Sequence, residues 1–594
     1  MTRRTSSALL AVVATAAVGS IVIGRSLRLE AGPPVPAVVE RWVVAHLRSV
    51  LEGRPPPARP SHRALDAELP APLVASVFLR GRQELRVFEG GTLGRAVERA
   101  GRALAKKGGL DPAARIRVEV PTARSPLIDQ RDLLALSLVA GEDGLGAERR
   151  GKVAVVTKWE LIGRHLYDRQ WVNERLQFEM GVGIARALAL LAADLGVDED
   201  RFDDEPRGLF RFRSHTILEG DPGVPLQEPD TARLTRPKLV EAARQAARWC
   251  QAVLGPTGKY TYLYDPIEDR EDEGARYSLP RHAGTTYYLA QFYRHAREPG
   301  FDQSVRRALD WIVDHTLRRC GPGPRRCVRD EQRASLGSAA LAVVAMAEYR
   351  HGTGDDRYDH EMRAIGQFIR DMQKPNGDFH HRYSRRSESV QPGQLLYYTG
   401  EAILALLKLH EELGDRRDLE AARRGLDFLT GPGWDFPLSP YFFSEEHWTC
   451  IAANEAYPRL RNRRYLEFCD GFARFRRDSQ YGRGATVFDS EGSYGFGTFV
   501  TPRTTPTAST TEAMVSTALL HRKWGRRSPV IERQVFSAVR FLLRRQLGPQ
   551  TEHLCPDPRR ARGGFPASAV DLTIRIDYTQ HAGSAILRSA ELLP

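Results

Sequence analysis

Cysteine is scarce, six in 594 residues, and none forms a CxxC pair or a Cys-His ligand spacing, which argues against a structural zinc site. A Walker-type phosphate loop and a G-x-S-x-G elbow are both missing. So is a compact basic block with interleaved aromatics. The net charge of +13 comes mostly from arginines scattered over helices, so no nucleic acid is expected as a partner. Acidic polymers or phospholipid head groups suit such a surface better. Beyond the N-terminus no run is long and apolar enough to span a bilayer.

The one such run is "MTRRTSSALLAVVATAAVGSIVIGRSLRLE", residues 1–30. Arg3 and Arg4 precede an uncharged stretch from Thr5 to Gly24, and Arg25 and Arg28 follow it. The pattern predicts a signal anchor or a signal peptide. Because the apolar run continues past Ala14-Thr15-Ala16, the best small-residue cleavage site, the uncleaved anchor is preferred. Arg3 and Arg4 then face the cytoplasm, and the globular part lies in the cell envelope, periplasmic or extracellular. Membrane is expected as a partner through this segment alone. Cys320 and Cys327 bracket "GPGPRR", which lets the chain double back, so they form either a local disulfide or two thiols.

Residues 31–69 read as a helix and a proline-rich linker, "RPPPARP" being unfit for helix or central strand. From 70 to 235 strand and helix signals mix. "LVASVFLRGRQELRVFEGG" alternates and turns at Gly81, a helix follows in "LGRAVERAGRALAKKG", and "RIRVEVP" and "GKVAVVTKWELIG" supply further strands. This small α+β domain is similar to AMMECR1-type domains in its element order, but their pattern has a Gly-Cys where Leu85-Arg86 is followed here by Val87-Phe88. "GVDEDRFDDEP" gathers Asp203, Asp204 and Glu205 without the helical spacing that one metal ion would need, and reads as a solvated loop.

From 236 to 594 the sequence is periodic. Arg-rich amphipathic helices such as "DQSVRRALDWIVDHTL" and "YDHEMRAIGQFIRDMQ" alternate with helices rich in Ala, Gly, Ser and Thr, such as "LGSAALAVVAMAEYRHG" and "TGEAILALLKLHEELG", six of each kind. Small residues permit close approach around an axis, while a single apolar stripe suits an outer position. The prediction is a multidomain chain with an N-terminal membrane anchor, a small α+β domain and a C-terminal all-α (α/α)6 toroid. With turn strings such as "KPNGDFHHRY", "GPGWDFP" and "RARGGFPAS", this part resembles the toroids of six-hairpin glycosidases, polysaccharide lyases, uronyl epimerases and terpenoid cyclases. No DxDD or DDxxD acid of a cyclase occurs in it, and the Cys and Cys-His zinc ligands of a lanthionine-cyclase-like toroid are missing as well.

In such a ring the entrances of the inner helices converge. Here they carry "YDP...RHAGTTYY" (Asp265, Arg281, His282, Tyr287), "YYTGE" (Tyr397, Tyr398, Glu401), "SEEHW" (Glu445, Glu446, His447, Trp448), "STTE" (Thr511, Glu512) and "RIDYTQH" (Arg575, Asp577, Tyr578, Gln580, His581). Rings, carboxylates, imidazoles and guanidiniums are what a sugar site uses. Glu446 or Glu401 is the leading acid/base, Asp577 its partner, and His282 and His581 are proton carriers or substrate ligands. Arg281 and Arg575 serve as carboxylate clamps; Tyr287, Tyr398, Trp448, Tyr578, Gln580, Glu512 and Asp265 complete a binding surface. No cofactor and no metal are expected.

Against this stands a plainer possibility. Ser509-x-x-Glu512 and Asp577-x-x-Gln580 both fit capping boxes. The expectation is a carbohydrate-active protein processing an acidic polysaccharide or other glycan by hydrolysis, elimination or epimerisation. A non-catalytic glycan-binding or envelope scaffold toroid is the alternative, with a terpenoid-cyclase-like enzyme ranked below both.

Overall fold

The computed structural model describes residues 29–594 apart from 108–110, 128, 130–133, 135–136, 172–176, 199–201, 203–206, 228–229, 273–275, 322, 330–332, 396, 433–438, 442–446, 485–488 and 496–500. The N-terminal apolar run, the cluster at Asp203, Asp204 and Glu205, and the pair Glu445 and Glu446 therefore lie outside the described residues. Among the described residues no helix is long and apolar enough to cross a membrane.

A six-stranded antiparallel sheet carries the N-terminal part, in the order β2-β1-β3-β6-β4-β5. Its strands are β1 (Leu73–Leu79), β2 (Arg82–Glu89), β3 (Arg115–Pro126), β4 (Asp143–Arg149), β5 (Lys152–Val156) and β6 (Phe210–Leu218). Gly81 turns the first hairpin with φ of 76°, a left-handed backbone that glycine adopts without strain. Helices α1 (Ala37–Leu51) and α2 (Leu93–Lys107) pack against each other and the sheet. In α2 the residues Leu93, Val97, Ala100 and Leu104 form one buried stripe, the spacing of an amphipathic helix. The helix expected before the linker proves to be α1. Its Val39, Val43 and Leu47 share a core with Leu73, Val97 and Ile116, so it belongs to the sheet domain. The short α3 (Lys158–Gly163) and α4 (Ile184–Leu195) complete this part.

Twelve helices then build the ring. Outer helices α5 (Arg236–Ala252), α7 (Phe301–Thr316), α9 (Asp359–Asp371), α11 (Arg416–Leu429), α13 (Arg463–Arg477) and α15 (Pro529–Arg545) alternate with inner ones. The inner six are α6 (Leu279–Ala296), α8 (Leu336–Thr353), α10 (Tyr398–Leu413), α12 (His447–Ala456), α14 (Thr504–Lys523) and α16 (Ile576–Ser589). Each inner helix packs on the next, and α16 returns to α6, closing an (α/α)6 toroid. The small residues act as the composition implied. A side chain at Gly400 would put its Cβ 2.9 Å from Trp448 Cβ and 3.0 Å from Thr449 N, so only glycine lets α10 and α12 approach this closely. Of the expected Gly-aromatic turns, those at Gly377 and Gly563 form, "GPGWDFP" lies mostly outside the described residues, and Gly258 and Gly492 make two more that the sequence reading did not name; all four glycines have positive φ and lie against the backbone of a neighbouring outer helix. Tyr260, Phe379, Tyr494 and Phe565, each two residues later, are buried beneath them.

At the C-terminal end of the axis each inner helix contributes one charged residue: Arg294, Glu348, Lys408, Glu455, Lys523 and Arg588. Arg294 Nε meets Glu348 Oε1 at 2.5 Å, and Lys408 Nζ reaches Glu348 at 3.7 Å and Glu455 at 3.2 Å. Lys523 Nζ donates to the Asn454 carbonyl at 2.8 Å, and Arg588 Nη2 to Ser516 Oγ at 2.8 Å. Burial alone would raise the Glu455 carboxyl, but Lys408, Lys523 and Arg588 pull it down to about 2. Four cations also suit the negative ends of six helix dipoles. Sequence reasoning missed this network because each member reads as one more surface charge on its own helix.

The sheet domain rests on the segment between α15 and α16. His553 from that segment meets Phe78 and Trp159 edge-on at 5.1 and 5.7 Å and accepts from Arg117 Nη1 at 3.0 Å. Burial, then the Arg117 charge, hold His553 well below the ordinary histidine range, so it stays the neutral acceptor. Apolar packing runs without a break from Leu145 and Leu191 of the sheet domain to Leu554 and Trp249 of the ring.

Candidate active site

The N-terminal ends of the inner helices bring together residues from distant parts of the chain. Glu512 and His581 lie on the adjacent helices α14 and α16, with His581 Nδ1 2.6 Å from Glu512 Oε2. Glu512 is 1% exposed. A carboxylate there accepts the Nδ1 proton, which fixes the tautomer and leaves Nε2 as the acceptor. His447, the first residue of α12, stands edge to face with His581 at a centroid distance of 5.6 Å, and Trp448 lies 6.2 Å from the same ring.

One turn earlier on α16, Asp577 sits between two guanidiniums. Arg575 binds it through Nε at 2.5 Å and Nη2 at 2.9 Å, and Arg281 through Nε at 3.0 Å. Arg281 Nη1 also donates to Tyr262 OH. Burial would raise the Asp577 carboxyl, but Arg575 and Arg281 overrule it and hold it far below the usual aspartate range. Such a carboxylate only accepts hydrogen bonds. The expected acid/base role for Asp577 therefore fails on electrostatics, and Arg281 and Arg575, expected as clamps for a substrate carboxylate, hold Asp577 itself. Arg503, unrecognised in the sequence, joins them: its Nη2 donates to Tyr578 OH at 3.1 Å, and Arg575 stacks over the Tyr578 ring at 4.4 Å.

Neither capping box forms. Helix α14 starts at Thr504 with Arg503 as its N-cap, so Ser509 and Glu512 stand inside it, and Ser509 Oγ donates to the Pro506 carbonyl. Pro506 fits the first turn because no intrahelical donor is needed there. Arg575 is the N-cap of α16 and no side chain caps it. Asp577 is already the second helical residue.

Other expected members lie elsewhere. His282 is fully buried: Tyr277 OH donates to its Nδ1 at 2.7 Å, its Nε2 donates to the Ala308 carbonyl at 3.0 Å, and Trp311 stacks on it at 4.7 Å. Burial pushes it down to about 4. It joins α6 to α7 and touches no open space, so it is not a proton carrier. Asp265 accepts from the amides of Ile267 and Glu268 and pairs with His165 at 3.0 Å, away from the ring of helix ends. Tyr287 accepts from Gln291 and senses Glu348 and Arg588, which places it toward the opposite, charged end.

Glu401 and Tyr398 pack against Gly337 of α8, and Glu401 is 2% exposed. Gln580 packs against Gly284. Tyr398, Trp448 and Tyr578 are all buried and line the wall instead of offering an open stacking face. Arg281, Arg575 and His581 keep solvent contact, with side chains 39%, 24% and 13% exposed.

Among the described residues, His447, Glu512 and His581 are the one trio whose ligand atoms all come within 4.8 Å. Two ligands of a tetrahedral zinc at ~2.0–2.1 Å stand roughly 3.3 Å apart. The 2.6 Å contact of His581 with Glu512 is a hydrogen bond instead, and the trio would have to open to take an ion.

Two disulfides are present: Cys320–Cys327, where the sequence left a disulfide and two thiols open, and an unexpected Cys450–Cys469. The second ties α12, which begins with His447, to α13. Its nineteen-residue separation gives no sequence signal; only the packing of inner on outer helix reveals it.

No family model and no curated protein matches the sequence. Among solved structures, a D-mannose isomerase is similar over 62% of this chain and 100% of its own, with 11% identity and a TM-score of 0.46. Cellobiose 2-epimerase from Bacillus thermoamylovorans is similar over 60% and 100%, with 12% identity and a TM-score of 0.45. An unsaturated glucuronyl hydrolase specific for heparin is similar over 60% and 97%, with 12% identity and a TM-score of 0.43. Likeness at this level transfers neither substrate nor chemistry to this chain.

Proposed function

We propose that the toroid is a carbohydrate-processing enzyme that acts on an acidic glycan by moving the proton on the carbon beside a uronate carboxylate. One observation carries this reading: His581, oriented by Glu512 and faced by His447, lies one helical turn from a clamp of Arg281 and Arg575. Residues one turn apart on a helix stand about 5–6 Å apart at Cβ. That is the reach from a bound carboxylate to a base beside the neighbouring carbon.

Asp577 and Tyr262 use only part of each guanidinium, leaving Nη2 of Arg281 and Nη1 of Arg575 for a second carboxylate. Charge offset at that carboxylate acidifies the adjacent C–H. His581 Nε2 takes the proton and the electron pair passes into the carboxylate, as an enediolate held by the arginines. If the protonated imidazole of His447 then returns a proton to the opposite face, the outcome is epimerisation. If it protonates the departing oxygen on the next carbon, the outcome is elimination. Hydrolysis fits less well. It needs two carboxyl groups able to act as acid and as base or nucleophile, and among the described residues Glu512 and Asp577 are engaged by His581 and by arginine while Glu401 is buried against Gly337.

A cell-envelope location, tethered through residues 1–30, is part of the proposal. The Cys320–Cys327 and Cys450–Cys469 bonds support an oxidising compartment.

The test uses a panel of uronate-containing and neutral polysaccharides in deuterated water. Deuterium entering the carbon beside the carboxylate, or the ultraviolet absorbance of an unsaturated uronate, is expected with acidic glycans only. A chain that binds one of them but gives neither signal would instead be a binding scaffold.

A further inference from the structure

His165 lies just beyond α3 in the sheet domain, yet its partners belong to the toroid. Its Nε2 stands 3.0 Å from Asp265 Oδ2, and the charges of Asp571 and Glu268 act on it as well. Arg186 holds its main chain through a 2.6 Å hydrogen bond to the His165 carbonyl.

What those carboxylates flank is a strand pair. Asp265 closes β7 (Leu263–Asp265), and its other oxygen accepts from the amides of Ile267 and Glu268. β7 pairs with β8 (Arg270–Glu271) on one side and with β9 (Ile574–Arg575) on the other, Tyr264 opposite Ile574 and Leu263 opposite Arg575. Asp571 approaches from the turn before β9, where it accepts from Thr573 N at 3.0 Å. The chain passes from β9 directly into α16. Tyr262, just before β7, accepts from Ile576 N at 3.3 Å through its carbonyl and from Arg281 through its hydroxyl. A path of one ion pair and one strand ladder thus joins the sheet domain to both arginines that hold Asp577.

We infer that His165 is a positioning residue: reaching from the sheet domain to Asp265 at the end of β7, it latches the β7–β9 pair and so sets the Arg281–Asp577–Arg575 clamp. Without its charge, the negative charges of Asp265, Asp571 and Glu268 lose the cation that all three act on. The contact with Asp265, the largest influence, raises the His165 pKa above that of an ordinary histidine, against the opposing pull of burial. A raised pKa means that the latch is fully closed below the unfolded value and opens as pH rises through the folded one. The purpose of the clamp rests on the proposed function; the latch itself is readable without substrate.

The experiment is hydrogen exchange on the full chain, corrected for the intrinsic pH dependence of amide exchange. In the parent, the peptide spanning residues 572–582 should lose protection as pH is raised through and above the ordinary histidine range, while 336–353 in α8 stays constant. His165→Gln should lower protection of 572–582 by about tenfold at low pH, a local opening, and abolish its pH dependence. Asp265→Asn should do the same. Parent-like protection in His165→Gln overturns the inference. Should that variant fail to fold, the parent decides alone: protection of 572–582 that does not vary with pH overturns it too. Since no glycan is present, a negative result here stands apart from a failure to turn over uronates.

Discussion

Glu512 and His581 are 69 residues apart in the chain and 2.6 Å apart in space. Their bond crosses from α14 to α16, so the orientation of the His581 imidazole, which keeps solvent contact, depends on the closure of the ring. His581→Gln is expected to lower turnover by about 100-fold or more, the usual worth of a positioned acid/base, with a thermal midpoint within a few degrees of the parent. Glu512→Gln keeps a hydrogen bond but loses the charge, and should cost about tenfold or more while shifting the pH profile. Steady-state rates on an acidic glycan check both.

Asp577→Asn tests the clamp. A capping residue would tolerate it, since Asn caps about as well as Asp. Here the change leaves Arg281 and Arg575 facing each other without a counter-charge, so a loss of about 2–3 kcal/mol is expected, less than for a fully buried pair because Arg281 is part-exposed. Urea unfolding measures it; a loss below about 0.5 kcal/mol, the range of ordinary surface changes, would falsify the clamp.

The charged end of the axis should respond to Lys408→Met. Glu348 and Glu455 would be left without their shared cation, and breaking a buried pair this way costs about 3–5 kcal/mol. The folded pKa of Glu455, about 2, and that of Asp577, lower still, both lie below their unfolded values. Their contribution is therefore present above about pH 5 and lost as pH falls toward 2. Thermal melts across that interval should show the midpoint descending in the parent and descending less in Lys408→Met.

His282→Ala should act on stability alone. It removes two hydrogen bonds and a stacked ring from between α6 and α7, a loss of about 2–4 kcal/mol. The pH profile of turnover should not move; a displaced profile would return His282 to the chemistry.

Replacing Cys450 and Cys469 together by serine opens a loop of nineteen residues. The expected loss is about 3 kcal/mol. Chemical denaturation of the oxidised parent and the double variant gives the difference directly.

The ring was legible in the sequence because its cause is local. Small residues in "HAGTTYYLA" and "LGSAALAVV" and arginines in "DQSVRRALD" already state which helix can touch neighbours on all sides and which must keep a wet face, whatever the rest of the chain does. For the same reason Arg281, Arg575 and His581 could be picked out as helix-entrance residues. Their partners could not, since charge pairing depends on which helices become neighbours. Asp577 looked like a cap until two guanidiniums from separate segments met it, His282 looked like a catalyst until α7 covered it, and His447 gained its place only when α12 and α16 came face to face. Sequence alone determined that polar groups would gather at one end of a closed ring. Tertiary structure decided which of them hold charge, which hold a proton and which merely hold helices together, because a side chain's protonation and burial are set by neighbours that folding brings from elsewhere in the chain.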